Sequence, residues 1–369
     1  MTFSRSLKLG VALLMSAPLG SAWAAETSQS TVHLYNWYDF INPDTPKAFE
    51  KDTGTHVLLD SFDSSEIMQS KVMVGRTGYD VVVATDYTLP NMIKAGALSL
   101  LDRDKLSNWK HMDPVLMKKM EVNDPGNRFA IPYLVGTTGI GYNVDLVKKA
   151  LGENAPVNSW DLIFKKEYIE KLSQCGVAML DSSSEIVPIA LHYLGLPPNS
   201  KNPEDYKKAQ ELLLSIRPYV RYFDSSKFVT DLANGDICVA ISWSGGVHDA
   251  KAAIEHAGSK RDVEYSIPKE GAPIWMENLV VLADAPHPEQ ALAFINYMMK
   301  PEVITQSSNF LGYPNANKDS TPLLDKELRD SPTAYPSQEV MDTLYPLQPL
   351  PLPTERIRTR VWSKVKTGS

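Results

Sequence analysis

Short apolar runs bounded by turn residues recur along this chain, and each is followed by a stretch with helical spacing. TVHLYNW (31–37) reads as a strand, and a helix follows from Pro43 to Lys51. THVLLDSF (55–62) is a second strand, and Ser64-Ser65-Glu66 can cap a helix over 66–74. YDVVVAT (79–85) is a fully apolar strand, followed by a helix near Leu89–Ala95. Strand, helix, strand in this order closes by right-handed crossovers into a mostly parallel sheet. The alternation resumes with FAIPYLVGTTGIGYN (129–143), a strand pair or a crossover between lobes. Helices are expected near 158–172, 185–195, 203–216 and 246–257, and strands at 176–180, 237–241, 263–269 and 278–283. HPEQALAFINYMMK (287–300) is an amphipathic helix with Pro288 in its first turn. At 369 residues the chain exceeds what one hydrophobic core serves. Two α/β lobes, crossed more than once by the chain, are therefore expected, with a ligand in the cleft between them. Pro-rich segments at 331–336 and 346–353 read as surface loops wrapping the fold.

The N-terminus points to a compartment. Arg5 and Lys8 precede an apolar stretch from Leu9 to about Leu19, and Ala22-Trp23-Ala24 has the A-x-A form of a secretory cleavage site. The apolar run is too short to span ~30 Å of hydrocarbon, so residues 1–24 read as a cleaved signal peptide. No cysteine follows it, which argues against a lipid anchor. The mature protein is then expected in the periplasm, with Cys175 and Cys238 as its two cysteines. In an oxidising compartment such a pair suggests a disulfide, with two buried free thiols as the alternative.

Several chemistries are absent from the sequence. A net charge of −7 without runs of Lys or Arg is unsuited to nucleic acid and better suited to a cationic partner. There is no GxSxG, HExxH, GxxxxGK[ST] or CxxC motif. GTTGIGYN (136–143) has its glycines in GxxGxG order, with no acidic residue placed for a dinucleotide, and reads as tight backbone packing or a hinge. His248 and His256 could share a helix face but have no third ligand nearby, so surface histidines are the simpler reading. No metal, cofactor or catalytic activity is expected.

What is present is a repeated pairing of aromatics and carboxylates at strand ends. NWYDF (36–40) sets Trp37, Tyr38, Asp39 and Phe40 at the carboxyl end of the first strand. TDY (85–87) supplies Thr85 and Asp86 after the 79–84 strand. SWSGG (242–246) follows another apolar strand, and IWME (274–277) and GYPNAN (312–317) add Trp275, Glu277 and Tyr313. Aromatic faces attract ammonium groups by ~0.5–2 kcal/mol each and pack against methylenes. Carboxylates accept charge-assisted hydrogen bonds from amines. Together they suit a box for a flexible organic cation.

These residues carry a wider resemblance. YNWYDFINPDTPKAFEKDTG, TTGIGYN, LGENAPVNSWDLIFK, DLANGDICVAISW, IPKEGAP, PNANK and RTRVWSKVKTG resemble the periplasmic polyamine-binding proteins of bacterial ABC transporters, closest to the putrescine-binding member, from about residue 31 to the C-terminus. The resemblance implies the two-lobe periplasmic binding protein fold of type II, with lobe 1 at 25–133 and 262–300, lobe 2 at 134–261 and 301–369, and the ligand cleft between them. It implies ligand contacts at Trp37, Asp39, Glu185, Trp243, Trp275, Glu277 and Tyr313, and a disulfide between Cys175 and Cys238. It also implies a monomer that docks on an inner-membrane permease. One departure bears on specificity. The family's W-x-G-D run is Trp243-Ser244-Gly245-Gly246 here, so an amine-binding carboxylate is missing. Asp86 or Asp249 could compensate, or the ligand could be another polyamine or a singly charged amine. Gly246→Asp would then be expected to strengthen diamine binding. A periplasmic sensor subunit that reports ligand to a membrane signalling protein is the alternative function.

Overall fold

A computed structural model of the protein describes residues 1, 30–38 and 40–368. The signal-peptide reading and Asp39 lie outside the described residues.

Among the described residues ten strands form one sheet, eight of them along a continuous path. They are β1 (Thr31–Trp37), β2 (His56–Phe62), β3 (Val81–Thr85), β4 (Ala130–Asn143), β5 (Val177–Met179), β6 (Tyr222–Phe223), β7 (Val239–Trp243), β8 (Val263–Ser266), β9 (Pro273–Val281) and β10 (Tyr345–Pro346). Their spatial order is β2-β1-β3-β9-β4-β7-β5-β6, with β10 beside β9 and β8 beside β4. The first three strands pair in parallel, as their helical crossovers require. β9 then runs antiparallel to both β3 and β4. The expected mostly parallel sheet is thus mixed. The reason is that β9 arrives from the other half of the molecule instead of through a local crossover.

β4 is the seam. Its first half, Ala130–Thr137, pairs with β9, and its second half, Thr138–Tyr142, pairs with β7. β8 pairs with that second half as well. The stretch read as a strand pair or a crossover is one strand that passes from one half of the sheet to the other. Nearly all of it is buried, so its glycines serve close packing. The run read at 278–283 begins at Pro273, because Pro273–Glu277 stays in register with β4 and β10. The 158–172 helix is broken into Asp161–Phe164 and Lys166–Leu172.

Several helices were not legible, Pro114–Met120 and Val144–Leu151 among them. Lys227–Asn234 and Pro301–Leu311 are short segments whose buried faces are set by tertiary packing. Leu352–Thr367 starts inside the Pro-rich run, where Pro353 occupies the first turn. Its Trp362 donates to Asp181, which leads into the helix Ser183–Tyr193.

The cysteine pair is resolved as a disulfide. Cys175 and Cys238 have Cα atoms 5.5 Å apart across a sequence separation of 63. They sit just ahead of Val177 and Val239, which are direct partners in the parallel pair β5 and β7. The bond ties the entry points of two neighbouring strands. Replacing both cysteines by serine is expected to cost about 2–4 kcal/mol through the freed loop in the unfolded chain. A chemical denaturation midpoint that falls while the folded spectrum is retained would bear this out; an unchanged midpoint would contradict it.

Candidate functional site

Strand register brings the aromatic and acidic residues together. Thr85 at the end of β3 and Leu134 on β4 both lie opposite Glu277 of β9. Two residues along, Trp275 lies opposite Gly136, and Trp243 at the end of β7 lies opposite Thr138. Residues 136 and 138 point to the same face of β4, as do 275 and 277 on β9. Gly136 is needed where it stands: a Cβ there would come within 2.2 Å of the Trp275 ring. A side chain at Gly245 would likewise meet the Tyr313 ring at 2.1 Å.

Two glutamates anchor the cluster. Glu277 accepts from the Trp37 indole Nε1 at 2.9 Å and from the Thr85 hydroxyl at 2.6 Å. Glu185, in the first turn of helix Ser183–Tyr193, accepts from the Trp243 Nε1 at 3.0 Å and from the Thr138 hydroxyl. Thr138 in turn accepts from the Trp275 Nε1 at 3.2 Å. Trp275 packs edge-on against Tyr313, which packs against Phe40, with centroids 5.5 Å apart in each pair. Trp37 packs on Phe62 with centroids 4.6 Å apart. Indole N–H groups fix the acids, and the ring faces form apolar walls beside them.

The electrostatics are unusual for carboxylates. Glu277 is 4% exposed and Glu185 5%. Burial pushes Glu277 from the ordinary 4.5 up to about 8, against the pull of its two hydrogen bonds, and the charges of Asp86 and Glu185 add to the rise. Glu185 is raised as well, first by burial and also by Glu66 across the cleft. Asp86 accepts from the backbone N–H groups of Met276 and Tyr87 and from the Asn123 amide, yet burial still lifts it to about 7. Among the described residues no lysine, arginine or histidine forms an ion pair with any of the three. Desolvation outweighs hydrogen bonding at each of them.

The sequence-derived residues separate into groups. Trp37, Thr85 and Glu277 form one hydrogen-bonded group, and Glu185, Trp243, Trp275, Tyr313 and Phe40 form a second, joined through Thr138 and ring contacts. Asp86 lies beside the first group, buried and held by its own donors. Tyr38 is 71% exposed. Gly246 is buried, and a Cβ there would come within 2.4 Å of the Phe228 ring. A carboxylate at 246 therefore requires Phe228 to move. His248 packs on Gly312 and burial lowers its pKa, while His256 is exposed. No metal-binding cluster occurs among the described residues.

Sequence reasoning missed Thr138 and Tyr87. Thr138 lay in a run read only for its glycines; the two-residue period of a strand puts it on the face of Gly136. Tyr87 donates to Ser65 at 3.0 Å and also hydrogen-bonds Ser184, which joins the β3 turn to the helix that carries Glu185.

The chain has known relatives. Residues 46–336 match the family of bacterial extracellular solute-binding proteins. The chain is 62% identical, over 95% of its length and 94% of the relative's, to a putrescine/agmatine-binding protein of Pseudomonas aeruginosa PAO1. It is 48% identical, over 96% of its length and 95% of the relative's, to a putrescine-binding periplasmic protein of Escherichia coli K12. The crystal structure of a spermidine/putrescine ABC transporter substrate-binding protein from Streptococcus pneumoniae superposes with a TM-score of 0.78 at 26% identity. That match covers 92% of this chain and 99% of the other. These relatives are solute-binding proteins, not enzymes.

The raised carboxylate has a consequence for stability. The folded protein keeps a proton on Glu277 up to about pH 8, whereas the unfolded chain releases it near 4.5. Between those values the folded state binds more protons, so this group lowers stability as pH rises through the window. The melting temperature of the ligand-free protein is expected to fall more steeply over that range than that of Glu277→Gln. Parallel pH profiles would contradict the assignment.

Proposed function

Because the chain belongs to the bacterial extracellular solute-binding proteins, we propose that it captures a polyamine in the periplasm and delivers it to an ABC permease of the inner membrane. The observation that carries this reading is the pair of buried glutamates. Each is held by an indole N–H and lies among aromatic rings, and among the described residues neither has a cationic side chain as partner. A buried carboxylate left unpaired is costly, and an ammonium group relieves that cost while its methylenes pack on the rings.

Glu277 takes one amine end, with Asp39, two positions after Trp37 in the sequence, as a second acceptor. Glu185 takes the other end. Trp37, Trp243, Trp275, Tyr313 and Phe40 form the sleeve, with Thr85 orienting Glu277 and Tyr38 at the rim. Asp86 contributes negative potential from behind Glu277. Gly246 leaves the Trp243 end without the family's carboxylate, and Phe228 fills the space behind it. Such an end suits a group that spreads its charge and forms two parallel hydrogen bonds to Glu185, as a guanidinium does. Putrescine-like diamines and agmatine-like guanidino-amines are therefore the proposed ligands. The protein works as a monomer and has no nucleic-acid partner. No observation favours the sensor alternative.

The two lobes are proposed as 25–133 with 262–300 and 134–261 with 301–369, closing on the ligand by hinge motion. The passage of β4 between the sheet halves supports a hinge strand there. The pairing of β8 with the second half of β4 favours a return to the first lobe nearer the start of β9.

Calorimetric titration of the ligand-stripped protein tests the reading, with putrescine, cadaverine, agmatine, spermidine and a mono-acylated diamine. Micromolar or tighter binding of a free diamine or guanidino-amine is expected. Glu185→Gln and Trp243→Ala are each expected to weaken it by more than about tenfold with the fold retained. Unchanged affinity in both variants would overturn the site. Gly246→Asp alone is expected to give no gain, because Phe228 occupies the space. Gly246→Asp combined with Phe228→Ala is the version that can place a carboxylate there.

A further inference from the structure

Among the described residues, three buried acids meet in this cluster without a positive side chain. Glu277 on β9 faces Trp37 of β1, Thr85 at the end of β3 and Asp86 in the turn that follows. Glu185 reaches it from helix Ser183–Tyr193, and Glu66 of helix Ser65–Val72 faces Glu185. The other titratable groups in reach are the phenols of Tyr87, Tyr265, Tyr313 and Tyr345, with Asp249 acting on Tyr313. Every one of these is either acidic or neutral. Three carboxylates at 1%, 5% and 4% exposure cannot all be ionised together without a counter-charge.

The hydrogen bonds are compatible with either charge state. Thr85 donates to Glu277 over 2.6 Å, and a hydroxyl can equally accept from a protonated carboxyl. Thr85 also lies 3.4 Å from the Ser65 hydroxyl, which hydrogen-bonds Tyr87. A proton on Glu277 is thus accommodated by rotating hydroxyls, with no movement of the chain.

We propose that this carboxylate cluster is a proton-binding site as well as a cation-binding site, and that the ligand enters by displacing a proton. The proposal rests on the polyamine reading above. On binding, the O–H bond of the Glu277 carboxyl breaks, the proton passes to a solvent base, and the carboxylate left behind pairs with the incoming ammonium group. Positive charge is exchanged for positive charge, so the closed cleft never holds three uncompensated anions. The elevated values at Glu277 and Asp86 agree with this direction. A dication can replace the proton and leave the cluster better neutralised than before. A singly charged amine gains less, which gives the site a preference for charge number that does not depend on any one contact.

The test is calorimetry with putrescine at pH 7 in phosphate and in Tris, whose ionisation enthalpies differ. The observed heat is expected to depend on the buffer with a slope of about one proton released per ligand. Between pH 6 and 8 the amines stay charged, and affinity is expected to rise with pH by up to about tenfold per unit. Proton release is expected to fall by more than half in Glu277→Gln, and less in Asp86→Asn. Putrescine binding with no buffer dependence from pH 6 to 8 would overturn this inference and leave the polyamine reading standing. Release that persists undiminished in both variants would overturn the assignment to this cluster. Absence of binding by every amine tested would instead overturn the functional reading itself.

Discussion

Two glutamates buried with indole and hydroxyl donors in place of cations set the terms for the rest of this molecule. Hydrogen bonds to Trp37 and Thr85 on one side, and to Trp243 and Thr138 on the other, fix where negative charge can sit. They do not neutralise it. Burial raises both groups despite those bonds. The site is therefore matched to a partner that brings positive charge and apolar length together, and the aromatic walls receive the apolar part. The same imbalance explains why polyamine recognition and proton binding can belong to one set of atoms.

The sheet makes this geometry possible. β4 runs from one half of the sheet into the other, and the site lies along the stretch where it pairs first with β9 and then with β7. Trp275 lies across β4 only because position 136 has no side chain, and Tyr313 reaches helix Ser244–His256 only because position 245 has none. Register then aligns Thr85, Glu277 and Leu134 in one row and Trp243 with Thr138 in the next. A slip of one residue in β9 would turn Glu277 away from Thr85. The disulfide ahead of β5 and β7 and the docking of Trp362 on Asp181 brace the half of the fold that presents Glu185 and Trp243.

Much of this was legible beforehand, for identifiable reasons. β3 announces itself as an apolar run buried on both faces, and NWYDF and SWSGG mark strand ends by their composition, whereas IWME lies inside β9. What resisted reading depends on partners distant in sequence. Pro273–Glu277 shows no strand pattern of its own and is extended because β4 and β10 lie alongside it. Helix Leu352–Thr367 was hidden by the prolines before it, although Pro353 suits a first turn. Thr138 was missed because glycines drew attention in its run, and only strand periodicity reveals its face. Gly246 was read as a missing acid; the Phe228 ring that covers it comes from a helix that sequence pattern did not resolve.

The most direct measurement is a crystal structure of the mature protein grown with putrescine. The account expects the diamine between the lobes, with one nitrogen within hydrogen-bond distance of Glu277 and the other near Glu185. Its methylenes should lie against Trp37, Trp243 and Trp275. A diamine bound elsewhere, or a closed cleft in which the two glutamates keep only their indole and hydroxyl partners, would contradict it.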